Sequence, residues 1–66
     1  MTATPPPGLV TAANLEAPDD FYAALLQAHA DLTEAQSHAF NARLVLVLAN
    51  HVGAQSVLRQ ALLAAA

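Results

Sequence analysis

Three histidines, His29, His38 and His51, are the side chains in this sequence best suited by type to bind a metal or move a proton near neutral pH. Chelation from one helix face needs ligands three or four residues apart, because only those point the same way. These histidines are nine and thirteen residues apart, and neither an HExxH nor an ExxH pattern occurs. No metal site is therefore expected, the alternative being a pairing of His51 with Asp19 or Asp20 across helices. His38 is expected to be solvated, and His51 to sit at a helix C-terminus, where the dipole favours it.

Nucleophilic chemistry has even less to work with. There is no cysteine, so the candidates are Ser37, Ser56, Thr33 and Tyr22. Ser37 precedes His38, but adjacent helical residues diverge by about 100° and do not meet. The only glycines, Gly8 and Gly53, are too far apart for a phosphate-binding loop. No catalytic residue and no cofactor are expected, and the chain does not read as an enzyme. Arg43 and Asn50 are more suggestive, being seven residues apart and on the same side of a helix. The simplest reading is that they satisfy polar groups at helix ends, Arg43 with Asp31 or Glu34 and Asn50 with backbone. Contact with a partner is the competing reading, and a bound anion a third. Arg59 is expected to be a solvated charge.

The elements that carry these residues are legible from caps and periodicity. Residues 1–13 hold three prolines and a glycine and are expected to form a flexible tail. Residues 14–66 form one helical domain. A first helix, 18–31, opens on Pro18, whose missing N–H costs nothing in a first turn, followed by Asp19 and Asp20 at the positive end of the dipole. Phe21, Leu25, Ala28 and Leu32 then make an apolar stripe, with Tyr22, Leu26 and His29 beside it. A second helix, 34–52, opens on Thr33-Glu34-Ala35-Gln36, a capping box, and stops at Gly53. A third, 54–64, carries Val57, Leu58, Ala61 and Leu62 on one side. Short loops make the helices antiparallel or sharply angled. The run Leu44 to Ala49 is apolar enough for a strand, but no second strand is available to pair with it.

Winding the second helix sorts its side chains. Phe40, Leu44, Val47, Leu48 and His51 share one face. The other carries Ala35, Ala39, Ala42, Val45, Leu46 and Ala49, with Arg43 and Asn50 along one border. A helix apolar on both sides must be buried on both. The two neighbouring helices are expected to cover one face well, leaving the alanine-rich face and its Arg43/Asn50 border as an interface.

Composition supports this. The chain is 56% hydrophobic and 11% charged, with a net charge of −3, too apolar for disorder. At 66 residues without a disulfide, its core barely offsets the entropy of ordering it, and association is the remaining remedy. With Arg43 and Arg59 as the only basic side chains, neither nucleic acid nor an anionic membrane surface is an expected partner. No apolar run is long enough to span a bilayer and the N-terminus lacks a secretory pattern, so a cytoplasmic location is expected.

From Asn14 to Leu63, the stretches DDFYAALLQAHADLT, EAQSHAFNARLVLVLANHVG and VLRQAL resemble a family of short helical bacterial proteins catalogued as a domain of unknown function. The NARLxLxLANHVG core is the most specific part, and the proline-rich start lies outside the resemblance. The resemblance implies an accessory role beside flavin-dependent aromatic monooxygenases and assigns no activity. The expected fold is all-α: a helical hairpin plus a short third helix, completed by oligomerisation. The expected function is a non-catalytic, self-associating interaction module, with an accessory subunit of an oxidoreductase as its setting. A dimer enclosing a small hydrophobic ligand, lined by Tyr22, Phe40 and His51, is the alternative. A helix-turn-helix regulator is a weaker one, because its recognition helix would hold a single cation, Arg59.

Overall fold

A computed structural model describes residues 8–66, so Met1 to Pro7 of the expected tail lie outside the described residues. Three helices follow an irregular stretch over residues 8–17: α1 (Pro18–His29), α2 (Glu34–Val52) and α3 (Gln55–Ala65). No strand occurs among the described residues, and the fold is all-α. None of their helices is long and apolar enough to cross a membrane.

Each helix end has a local cause. Pro18 occupies the first turn of α1, Asp19 and Asp20 follow it, and the Phe21 N–H donates to the Ala17 carbonyl at 3.0 Å. The helix stops at His29, short of the expected Asp31. Its last turn tightens: the Ala30 N–H donates to Gln27 and the Leu32 N–H to His29, three residues back rather than four. The expected capping box forms in full. Thr33 Oγ1 accepts from the Gln36 N–H at 3.2 Å, while Gln36 Oε1 accepts from the Thr33 N–H at 3.0 Å. At the far end of α2, Gly53 takes φ 77° and its N–H donates to the Ala49 carbonyl at 2.9 Å. Ala54 is extended and precedes α3, which therefore starts one residue later than expected.

The packing is thin. No described residue is buried. Leu25, His29, Leu32, Ser37, Phe40 and Leu44 are half-buried where α1 lies on α2, and Ala49, Ala54, Val57, Leu58 and Ala61 where α3 turns back. Leu9 joins them, its N–H reaching Gln60 Oε1 of α3 at 3.3 Å. The radius of gyration is 14.9 Å, against about 11 Å for a compact domain of this length. Accessible area is 5948 Å², whereas a compact monomer of this mass exposes about 4,000 Å². Part of that difference is the irregular stretch over residues 8–17, exposed at every position but Leu9, and part is apolar surface on α2 and α3.

Two substitutions separate the cap from the stop. Thr33→Ala is expected to cost about 1 kcal/mol through the lost side-chain cap. Gly53→Ala is expected to cost about the same through backbone strain alone, since an added Cβ would meet only Asn50 O, at a comfortable 3.9 Å. Gly53→Asn should recover little of that loss, because Asn favours positive φ at positive ψ and Gly53 sits at ψ −36°. Chemical denaturation at fixed protein concentration measures all three.

Candidate functional site

The structure disperses the polar residues. His38 Nε2 lies 3.7 Å from Glu34 Oε1, an i, i+4 pair with both side chains largely in water. At such exposure the pair contributes little to stability. Glu34 is thereby the partner of His38 and not of Arg43. Among the described residues, neither Arg43 nor Asn50 makes a side-chain hydrogen bond or ion pair. The expectation that Arg43 bonds Asp31 or Glu34, and that Asn50 bonds backbone at a helix end, is therefore corrected. The outward-pointing stretch of α2 offers those side chains nothing within reach. His51 is exposed in the last turn of α2.

His29 is the polar residue that sequence reasoning passed over. It ends α1, and its Nδ1 lies 2.8 Å from the Leu25 carbonyl oxygen. A carbonyl only accepts, so Nδ1 carries the hydrogen. Nε2 lies 2.9 Å from the Asn41 side-chain amide on α2. That amide can present either its oxygen or its nitrogen, so the link forms with a neutral or a charged ring. The ring also stands edge-on to Phe40, centroids 4.8 Å apart and planes at 77°, a favourable aromatic geometry. His29 thus fastens α1 to α2. A histidine beside the Leu25 stripe was the available signal, but its partner twelve residues on is set by the hairpin.

The apolar side chains form a more continuous surface. The two faces of α2 were expected to divide into one covered and one free. Instead the cover divides along the helix. Near its N-terminal half α1 shelters Phe40 and Leu44; near its C-terminal end α3 half-covers Ala49. Val47 and Leu48, expected on the sheltered face, remain exposed. The reason is length: α1 has 12 residues and α3 has 11, against 19 in α2. Neither neighbour can run its full extent.

On the alanine-rich face, Ala35, Ala39 and Ala42 stand in solvent. Exposed alanines by themselves are ordinary on a helix and carry no argument. The larger side chains beside them do: Val45 is 61% exposed and Leu46 70%. Val45 and Ala49 continue into an open groove of about 480 Å³, closed on its other side by Gln55, Leu58, Leu62 and Ala65 of α3. Leu62 at its rim is 72% exposed. The groove is apolar, with Gln55 the only polar side chain among the residues that line it. Of the interface residues expected from sequence, Val45 and Ala49 line that groove, while Ala35, Ala39, Ala42, Arg43, Leu46 and Asn50 are exposed on α2 and are not among its lining residues.

The family described as protein of unknown function (DUF2783) matches residues 9–66. No curated protein and no solved structure matches the chain.

The histidine link invites a double-mutant cycle. His29→Ala and Asn41→Ala are each expected to destabilise the fold, and the pair together by less than the sum. The coupling should be about 0.5–1 kcal/mol, as befits a partly solvated hydrogen bond. Additive effects in urea denaturation would show that the two side chains do not act together.

Proposed function

The chain belongs to that family of unknown function, and we propose that it is a non-catalytic helical interaction module which self-associates in the cytoplasm. The observation that carries this reading is the absence of any buried residue among those described, beside a large exposed apolar surface on α2 and α3. Monomeric soluble proteins rarely leave extensive contiguous apolar surface in water. The groove lined by Val45, Ala49 and Leu62, together with the exposed Leu46, is the surface that such self-association would use.

An accessory role beside a flavin-dependent aromatic monooxygenase is the setting implied by the family resemblance, and we include it in the proposal. The module would then supply a helical surface to that enzyme rather than chemistry of its own. The groove also supports a second reading, a dimer that binds a small hydrophobic ligand, because its volume falls within the range of ligand pockets. Its open, almost wholly apolar walls offer few groups to orient such a ligand, which favours the first reading.

Light scattering coupled to size exclusion at low micromolar concentration is expected to give a mass of at least a dimer. The melting temperature should rise with protein concentration, because association stabilises only the folded form. A well-folded monomer with a concentration-independent melt would remove the basis for the proposal. The accessory role is tested by purifying the tagged chain from its native host, where a flavoprotein should accompany it. Ligand binding is tested by thermal shift with flavins and aromatic acids, and unchanged melting would dismiss it.

A further inference from the structure

Of the three helices, α3 does least to hold itself. It follows Ala54 with no side-chain cap and has no acidic residue in its first turn, whereas α1 opens on Pro18, Asp19 and Asp20 and α2 on a capping box. Its 11 residues fall short of the roughly 12–15 at which an isolated helix becomes even marginal in water. Val57, Leu58 and Ala61 are half-buried, and every other residue of α3 is exposed. Whether α3 stays helical therefore depends on what it touches: α2 and one further segment.

That segment is the irregular stretch before α1. Across residues 8–17 every position is exposed except Leu9, whose N–H donates to Gln60 Oε1 at 3.3 Å. Among the described residues this is the one side-chain hydrogen bond that joins α3 to another part of the chain. Winding α3 at about 100° per residue sets Leu58, Leu62 and Ala65 roughly 150° from Gln60. Those three line the groove, so Leu9 is held on one flank of α3 and the groove opens on the other.

We infer that Gly8, Leu9 and Val10 form a latch for α3. With the latch closed, α3 is held from the flank that the groove leaves free, and it stays on α2. With the latch released, α3 keeps only its half-buried contacts with α2 and opens locally, ahead of the rest of the fold. Five of the seven residues lining the groove, Gln55, Leu58, Ala61, Leu62 and Ala65, belong to α3. The groove therefore exists only while α3 is in place. Latch and groove are coupled although Leu9 is not among the lining residues: whatever fills the groove favours the closed latch, and the closed latch favours filling to the same degree. This holds whether the occupant is a second copy, another protein or a small molecule.

Leu9→Ala and Gln60→Ala each weaken the latch. Val10→Ala is the control, at a side chain 61% exposed. The readout is hydrogen exchange of the amides of residues 59–63, all variants being compared at one protein concentration. Each latch variant is expected to speed that exchange about three-fold, the lower end of what a hydrogen bond contributes, since this one is exposed. Exchange in α1 and over residues 38–44 of α2 should be unchanged, as should all exchange in Val10→Ala. The double variant should exchange no faster than the faster single one, because a latch opens once. Unchanged exchange in α3 overturns the latch. So does equal acceleration in all three helices, which would make Leu9 a prop for the whole fold, and so do effects that add.

Discussion

The structure is governed by a mismatch of length and surface: α2 is apolar over most of its circumference and longer than either helix packed against it. Its 19 residues meet 12 in α1 and 11 in α3. Each neighbour shelters one stretch, and they shelter different sides. What remains uncovered follows from that arithmetic, whatever the details of side-chain packing. The thin interior and the open groove between α2 and α3 are both consequences.

Within this loosely packed chain the polar residues act mainly as fasteners. Thr33 and Gln36 tie off the start of α2, and Gly53 ends it in a conformation that other residues adopt only with strain. His29 reaches from the end of α1 to Asn41 and Phe40 on α2. Gln60 holds the backbone of Leu9. These contacts set where the helices lie, and the apolar surface left between them carries the proposed association. Arg43 and Asn50 stand apart from the fasteners, exposed at the border of that surface and without partners among the described residues.

How much of this could be read beforehand depended on the range of the interaction. The capping box and the glycine stop were legible because each is decided within a few residues by side-chain chemistry and backbone sterics. The second helix was legible from its caps, despite a central run that a strand could equally have used. The end of α1 was misplaced because its closing turn tightens to bonds between residues three apart, which no residue type at 30 or 31 announces. The two-faced character of α2 was correctly read as an excess of apolar surface, yet its apportionment was not. Winding one helix tells which side chains share a face but not how far along it a neighbour reaches. The His29–Asn41 link stayed hidden for the same reason, since it exists only once the hairpin has closed.

That no described residue of the lone chain is fully sheltered bears on how the protein would behave inside a cell. A fold that completes its interior only by sharing it has a lifetime set by supply: copies made beyond what their companions can absorb spend longer open, where proteases find them. Under the proposed association, abundance would regulate itself without a dedicated inhibitor, surplus chain being cleared and assembled chain spared.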